Sequence, residues 1–250
     1  MVNYPIDINC DMGESYGSSI VGQDENLMPF ITSCNIACGF HGGDPFQIEK
    51  TILIALKYNV RIGAHPSYPD LEGFGRKNMN FDAKELNAII CYQISALKGM
   101  VERLGGKLSY VKPHGALYNK ASKNIEEAAT VIETIQSIDT NLSLMGLAGS
   151  IMETVARTKG ITFIAEAFCD RKYEKDGTLM SREKDGSVLG NVQEIIDQIK
   201  VIVFENKIMI DSPHTISVNA NSICVHGDNP KALEILKAMK YMFENYRNEN

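Results

Sequence analysis

Seven short apolar segments alternate with longer stretches of helical periodicity, and this alternation constrains the fold more than any other feature of the sequence. The apolar segments are nearly continuous, as expected of strands that are buried on both faces. The predicted strands span residues 6–10, 34–38, 60–64, 108–112, 142–147, 162–167 and 222–226. The predicted helices span residues 44–57, 81–104, 124–138, 150–158, 192–206 and 230–247. Such alternation implies parallel strands joined by helical crossovers.

Side chains capable of chemistry follow almost every predicted strand. Four of the five histidines end a strand or come directly after it, namely His41, His65, His114 and His226. Carboxylates hold the same position elsewhere, namely Asp11, Glu14, Glu166 and Asp170. Because neighbouring strands lie about 4.8 Å apart, the outer strands of a flat seven-stranded sheet would be roughly 30 Å apart. These side chains can surround one small ligand only in a closed sheet, so the pattern predicts an α/β fold with a TIM-barrel-like (β/α)7 barrel.

Length and composition are those of an ordinary globular protein. The chain has 250 residues, of which 44% are hydrophobic and 22% are charged, and no linker or internal repeat interrupts the alternation. We therefore expect residues 1–250 to form a single catalytic barrel domain. The net charge of -6, without a basic stripe, argues against nucleic acid as a partner.

The sequence contains no segment typical of a membrane protein or a secretory leader. No apolar run approaches the roughly 18 residues that a spanning helix requires, and the first residues lack a basic stretch followed by an apolar core. Six cysteines without a C-x-x-C pair are too few for a disulfide framework and fit buried thiols in a reducing compartment. The sequence predicts a cytoplasmic protein without a membrane partner.

The predicted cluster of histidines and carboxylates is compatible with three kinds of chemistry. These groups could act as general acids and bases, because imidazole titrates near neutral pH. Alternatively, Asp11, His41 and His65 could hold a divalent metal that activates water. The third alternative is a binding site without catalysis. No H-x-x-x-H or H-E-x-x-H element is present, so spacing alone does not decide between them.

Three cationic side chains lie near the same strand ends. Arg76, Lys112 and Arg171 are predicted to bind a carboxylate or phosphate, or to stabilise an oxyanion. Two long connections, residues 66–80 and 169–190, follow strands and are predicted to act as lids over the site. The sequence has no G-x-x-x-x-G-K-[ST] loop for nucleotide phosphates.

Several motifs resemble the LamB/YcsF family. They occur in the order DINCDMGESYG, CNIACGFHGGDP, GAHPSYPDLEGFGR, YVKPHGALYN, GLAGS, EAFCDRKYEKDGTLMSR and CVHGD, and they extend from Asp7 to Asp228. The resemblance implies a barrel similar to the glycoside hydrolase/deacetylase superfamily. The family corresponds to the A subunit of the bacterial ATP-hydrolysing 5-oxoprolinase. It therefore implies ring opening of 5-oxo-L-proline to L-glutamate, coupled to hydrolysis of ATP, with Mg²⁺, to ADP and phosphate, alongside the B and C subunits.

The implied reaction suggests roles for the predicted site residues. We assign acid–base catalysis to His114 and His65, with Asp11 and Glu14 orienting them or binding a metal. Phosphate or carboxylate binding is assigned to Lys112, Arg76 and Arg171, and positioning of water or of the ring nitrogen to Glu166 and Asp170. The rest of the cavity wall is assigned to His41, His226 and Asp228. The alternative functions are a stand-alone metal-dependent amidohydrolase or deacetylase, and a non-catalytic component that binds substrate within a larger complex. A bound metal ion and a homo-oligomeric state are both compatible with the sequence.

Overall fold

Seven parallel strands close into a barrel with helices on its outside. The computed structural model describes residues 4–182, 184–211 and 214–249. The strands are β1 (Asp7–Met12), β2 (Ser33–Ala37), β3 (Arg61–His65), β4 (Leu108–Val111), β5 (Ser143–Leu147), β6 (Phe163–Phe168), β7 (Lys207–Asp211), β8 (His214–Ser217) and β9 (Ser222–Val225). The barrel order is β1-β2-β3-β4-β5-β6-β9, and β9 pairs in parallel with both β1 and β6. The predicted (β/α)7 barrel is confirmed.

Two details of the strands differ from the prediction. Strands β7 and β8 form a separate antiparallel hairpin that the sequence pattern does not indicate, since most of β8 is exposed and lacks an apolar face. Strand β1 continues to Met12, so Asp11 lies within the strand rather than after it. The side chain of Asp11 therefore belongs to the barrel interior itself.

The helices are α1 (Asp24–Leu27), α2 (Pro45–Tyr58), α3 (Ala83–Arg103), α4 (Gly115–Ala121), α5 (Ile125–Ile138), α6 (Ile151–Lys159), α7 (Val192–Glu205) and α8 (Ala232–Glu249). The six predicted helices correspond to α2, α3, α5, α6, α7 and α8. Helices α1 and α4 contain only 4 and 7 residues, too few for a helical period to be apparent in the sequence. None of the helices in the described residues is both long and apolar enough to cross a membrane.

Local sequence signals explain where helix α2 begins and ends. The carboxylate of Asp44 accepts hydrogen bonds from the backbone N–H groups of Phe46 and Gln47, and Pro45 occupies the first helical position. Asn59 ends the helix in the left-handed region, with φ of 54°. Helix α2 therefore returns the chain from β2 to β3 with both ends satisfied.

Side-chain hydrogen bonds at the amino end of the barrel connect β1 to its two neighbours. Oδ1 of Asp7 accepts from the hydroxyls of Thr32 (2.7 Å) and Ser33 (2.6 Å), on the side of β2. Oδ2 of Asp7 accepts from the hydroxyl of Ser222 in β9 at 2.5 Å. One carboxylate thus supports the seam where the barrel closes.

A glycine in β3 makes room for a tyrosine inside the barrel. A Cβ atom on Gly63 would lie only 2.2 Å from Cε2 of Tyr110. The hydroxyl of Tyr110 donates to Oδ1 of Asn35 at 2.6 Å, and Nδ2 of Asn35 donates to Asp11 at 2.7 Å. The missing side chain at Gly63 thus permits a chain of contacts that reaches the carboxyl end of β1.

Replacing Gly63 by Ala is expected to lower the free energy of unfolding by about 1–3 kcal/mol, because the added methyl group overpacks the ring of Tyr110. The matched control is Gly99→Ala in α3, where nothing lies within 4 Å of the added Cβ. That variant is expected to raise the free energy by about 0.4–1 kcal/mol. Urea denaturation measures both values, and equal effects of the two substitutions would contradict this packing.

Candidate active site

A cavity of about 600 Å³ opens at the carboxyl end of the barrel. Asp11, His65 and Lys112 line its inner part, and both long loops, residues 66–80 and 169–190, contribute to its outer wall. A second cavity, of about 550 Å³, lies at the amino end of the barrel, and none of its lining residues is a histidine. The carboxyl end therefore holds the candidate chemistry, as expected for parallel α/β proteins.

Two buried glutamines fix the beginnings of the long loops. The amide of Gln93, in α3, donates to the backbone carbonyl of Ser67 at 2.8 Å and accepts from its backbone N–H at 2.9 Å. The amide of Gln198, in α7, donates to the backbone carbonyls of Phe168 (2.8 Å) and Cys169 (2.9 Å). Both loops thus leave the barrel in a defined direction.

The ammonium of Lys112 lies at the centre of this end of the barrel and is only 1% exposed. Its Nζ lies 3.1 Å from Oδ1 of Asp11 and 3.1 Å from Oε2 of Glu166. Two further acceptors, Oδ1 of Asn9 and Sγ of Cys224, also lie at 3.1 Å. An ammonium has three N–H donors, so each has a partner within the barrel. This position differs from the predicted phosphate-binding role of Lys112 and favours a role in holding Asp11 and Glu166.

Asp11 is held in its ionised form. Burial alone would raise the pKa of its carboxyl, but the charges of His65 and Lys112 hold that pKa well below its usual value. Burial would likewise lower the pKa of Lys112, but its neighbours, Asp11 first among them, raise it well above its usual value. The pair therefore stays charged although both groups lie in the interior.

His65 and His114 face each other, with Nε2 of His65 only 3.0 Å from Nδ1 of His114. The other nitrogen of each ring donates to a backbone carbonyl, that of Lys112 (2.7 Å) for His65 and that of Phe74 (2.8 Å) for His114. A neutral imidazole has a single N–H, so both facing nitrogens carry lone pairs. With both rings neutral these lone pairs repel each other, and a proton or a metal between them would relieve that repulsion. Burial, followed by the charge of His41, lowers the pKa of His114 well below its usual value.

The loop after β3 is strained where it meets His114. Phe74 has a φ of 55°, in the left-handed region that residues with a Cβ rarely adopt, and its carbonyl accepts from Nε2 of His114. A Cβ atom on the next residue, Gly75, would lie 2.8 Å from Cδ2 of His114. Backbone strain of this kind is common where a side chain must be oriented for function.

Glu14 and His41 complete the histidine cluster. Oε1 of Glu14 lies 3.1 Å from Nε2 of His41 and 3.7 Å from Nδ1 of His114. The rings of His41 and His114 stack, with centroids 3.7 Å apart. Burial first, and then Asp11, raises the pKa of Glu14 well above its usual value, whereas burial lowers that of His41. Nδ1 of His41 is buried and has no hydrogen-bond partner among the described residues.

These four side chains fit a divalent metal ion. One ligand atom each from Glu14, His41, His65 and His114 can be chosen so that all lie within 4.8 Å of one another. Tetrahedral zinc places its nitrogen and oxygen ligands about 3.3 Å apart, and the observed contacts of 3.0, 3.1 and 3.7 Å are close to that value. From the sequence, Asp11, His41 and His65 are possible ligands; the two histidines lie in this group with Glu14 and His114, and Oδ1 of Asp11 lies 3.4 Å from Nε2 of His65.

A second group of possible ligands fits a metal poorly. Atoms of Asp11, Cys224 and His226 also lie within 4.8 Å of one another. However, Nζ of Lys112 lies 3.1 Å from both Oδ1 of Asp11 and Sγ of Cys224, so a cation is already present there. Burial also raises the pKa of the Cys224 thiol well above its usual value, which disfavours the thiolate that metals bind.

Asp170 and His226 form another acid–base pair at the cavity wall. Nδ1 of His226 lies 2.8 Å from Oδ1 of Asp170, and the amide of Asn229 donates to Oδ2 at 3.2 Å. Burial would raise the pKa of Asp170, but His226 and Asn229 lower it to about 2. The ring of Phe168 stacks on His226 with centroids 5.3 Å apart. Asp170 thus orients the imidazole that faces the cavity.

All twelve predicted site residues lie at this end of the barrel. Nine of them line the cavity: Asp11, Glu14, His65, Arg76, Lys112, His114, Arg171, His226 and Asp228. The other three, His41, Glu166 and Asp170, are buried behind those that line it. Arg76 is bound to Asp228, with Nη2 2.6 Å from Oδ2.

Tyr118 is a cavity residue that the sequence prediction missed. It lies in α4, and its hydroxyl and Oε1 of Glu166 are both buried without a well-formed hydrogen bond among the described residues. Burial, followed by the charge of Glu166, raises the pKa of Tyr118 well above its usual value. Its sequence signals were its place in the motif YVKPHGALYN and its position four residues after His114, one turn along a helix that is too short to predict.

Comparison with known proteins identifies relatives along nearly the whole chain. The LamB/YcsF family matches residues 6–249. The 5-oxoprolinase A subunit of Bacillus cereus (strain B4264) is 46% identical over 240 residues, which cover 96% of this chain and 95% of that protein. The 5-oxoprolinase A subunit of Acinetobacter baylyi (strain ATCC 33305 / BD413 / ADP1) is 46% identical over 235 residues, which cover 94% of this chain and 92% of that protein.

A solved structure has the same fold and a similar sequence. The crystal structure of a lactam utilization protein from Thermus thermophilus superposes with a TM-score of 0.90, at 37% identity and with 96% of each chain covered. The barrel, the motifs at its strand ends and these matches agree with one another. This chain belongs to the LamB/YcsF family.

Proposed function

We propose that this chain opens the lactam ring of 5-oxo-L-proline to give L-glutamate, as the A subunit of an ATP-dependent 5-oxoprolinase. Two relatives with that name are 46% identical to it over nearly its whole length. The observation that carries the proposal is the facing pair His65 and His114 beside ionised Asp11 at a cavity. This arrangement supplies the proton-transfer groups that amide hydrolysis requires.

The chemistry accounts for the use of ATP. A five-membered lactam is an amide with little strain, so water attacks its carbonyl slowly. Transfer of a phosphoryl group from ATP to the carbonyl oxygen activates the ring carbon. Water then adds to that carbon, the C–N bond breaks to leave the nitrogen as an amine, and hydrolysis of the resulting acyl phosphate releases phosphate and glutamate.

Each cluster of side chains has a place in this scheme. His114, whose Nδ1 carries a lone pair, takes a proton from the attacking water, and His65 exchanges protons with it. Asp11 stabilises His65 when Nε2 carries a proton, since its Oδ1 lies 3.4 Å from that nitrogen. To the hydroxyl of Tyr118, which lies beside Glu166, we assign the transfer of a proton to the departing nitrogen. Acid–base steps of this kind each contribute about 10²–10⁴-fold to a rate.

The remaining residues position other side chains or form part of the cavity wall. Asp170 positions His226, and Arg76 with Asp228 forms part of the outer rim. We infer that residues 1–250 act as one catalytic barrel domain in the cytoplasm. We also infer that it works with the B and C subunits and with ATP and Mg²⁺, since the sequence contains no phosphate-binding loop of the G-x-x-x-x-G-K-[ST] type.

A metal-dependent amidohydrolase is the second candidate function, and the facing lone pairs of His65 and His114 favour it. Glu14, His41, His65 and His114 would hold the metal. When bound, such an ion supplies Lewis-acid activation of water or of a carbonyl group. In that case turnover would need no ATP.

The assay that separates these functions follows 5-oxoproline-dependent release of glutamate and phosphate, from this chain alone and mixed with the B and C subunits. Glutamate formation that requires ATP and the mixture supports the proposed function. Amide hydrolysis by the chain alone, without ATP, would establish the second candidate. The absence of glutamate in every mixture would rule out the proposed function.

The substitution His114→Ala should lower the turnover of the assembled enzyme by about 10²–10⁴-fold, because the facing histidine pair is lost. The matched control is His214→Ala, since His214 lies in the hairpin strand β8 and its side chain is exposed. That variant should keep the wild-type rate. Circular dichroism checks that both variants are folded, and wild-type turnover of His114→Ala would refute its assigned role.

Metal content tests the four-ligand cluster independently of activity. Protein incubated with zinc or manganese and then desalted should retain about one ion per chain. At a free metal concentration 100 times the dissociation constant, the ion should stabilise the fold by about 2.7 kcal/mol. His65→Gln should lose both effects, whereas His226→Gln should retain them. No bound ion in the wild type, or loss only in His226→Gln, would contradict this site.

A further inference from the structure

The guanidinium of Arg171 is a buried cation without a carboxylate partner. The residue is 4% exposed and lines the cavity. Its Nε and Nη2 donate to the backbone carbonyls of Ser187 and Met180, and no carboxylate of the described residues lies within 4 Å of it. The neighbouring Asp170 is engaged by His226 instead. Buried charges are normally paired, and the nearby charge of Asp170 is shared with His226 and Arg182, so an external anion would complete the pairing of Arg171.

A second arginine of the same loop also lines this cavity. Arg182 is exposed at the cavity wall, and it has no carboxylate partner among the residues that the structure describes. Burial, followed by the charge of Arg182, lowers the pKa of Arg171 to about 10. The fields of the two guanidinium groups overlap, and the single charge of Asp170 offsets only part of them, so a bound anion would lower the free energy of the site.

Three other cations of the cavity have partners of their own, whereas Lys123, which follows α4, is exposed and has no ion pair among the described residues. Arg76 is paired with Asp228 at 2.6 Å, and Lys184 is paired with Glu174 at 2.7 Å. All three N–H donors of Lys112 have acceptors inside the barrel. The unpaired positive charge of the cavity is thus carried by Lys123 and by the two arginines of residues 169–190, the segment that covers its outer part.

We propose that Arg171 and Arg182 form a subsite that binds the phosphoryl group of the reaction, a role that falls to them because Lys112 is engaged elsewhere. This inference rests on the proposed function. Arginine pairs bind phosphate through two parallel hydrogen bonds each, and two positive charges match a phosphate dianion better than a single carboxylate. The cavity, at about 600 Å³, has room for this group beyond the lactam ring.

The phosphoryl group can reach this subsite from two sources, as the terminal phosphate of a nucleotide or as part of a lactam that a partner protein has phosphorylated. Both present the same tetrahedral dianion to the two guanidinium groups. An ATP analogue that displaces inorganic phosphate from the chain identifies the nucleotide as the source. If the chain binds inorganic phosphate but not the ATP analogue, the phosphoryl group reaches the subsite already attached to the lactam.

Isothermal titration calorimetry with inorganic phosphate at constant ionic strength tests the subsite on the full chain. Arg182→Gln should weaken phosphate binding by about tenfold or more, the effect of losing a charge-assisted hydrogen bond. Lys184→Gln is the matched control, because its ammonium is already paired with Glu174, and it should bind phosphate as the wild type does. Arg171→Lys should also weaken binding, since lysine keeps the charge but loses the planar fork.

Two results would overturn the subsite. One is wild-type protein that does not bind phosphate, and the other is equal weakening in Arg182→Gln and Lys184→Gln, which indicates only a diffuse field. Loss of 5-oxoproline binding in Arg182→Gln with phosphate binding intact would assign the arginines to the substrate carboxylate instead. Failure of the proposed function has a different signature, namely wild-type protein that binds phosphate at Arg182 but neither binds nor turns over 5-oxoproline.

Discussion

The buried ammonium of Lys112 is the interaction on which the rest of the site depends. Strands β1, β6 and β9 each place an acceptor within 3.1 Å of its Nζ, from Asp11, Glu166 and Cys224. An uncompensated carboxylate in the interior would be strongly destabilising, so the barrel can hold Asp11 and Glu166 there only with a cation between them. Closure of the barrel therefore brings Asp11, Glu166 and Lys112 together.

The charges of the site are separated into two zones. The inner zone contains the carboxyl groups and the facing histidines, whose lone pairs call for a proton or a metal. The outer zone contains Arg171 and Arg182, from the segment of residues 169–190 that covers the cavity. Neither arginine has a carboxylate partner among the described residues. Such an arrangement suits a substrate whose reacting amide enters the inner zone while its negative charge stays in the outer zone.

The sequence predicts the barrel and the location of the site because both depend on local patterns. Buried parallel strands appear as apolar runs, and polar residues at their ends must meet once the sheet closes. The partners of Lys112 could not be predicted, since Asn9 and Cys224 reach it only through the register of β1 and β9. Tyr118 was missed because α4 is a single short helix with no visible period.

The free energy of unfolding of Lys112→Met tests this account most directly. Removing the cation while retaining both carboxyl groups should destabilise the barrel by about 3–5 kcal/mol. Adding Glu166→Gln should recover part of that loss, so that the two substitutions couple by at least about 1 kcal/mol in urea denaturation. A loss below about 1 kcal/mol for Lys112→Met, with additive effects in the double variant, would show that the site does not depend on this buried charge.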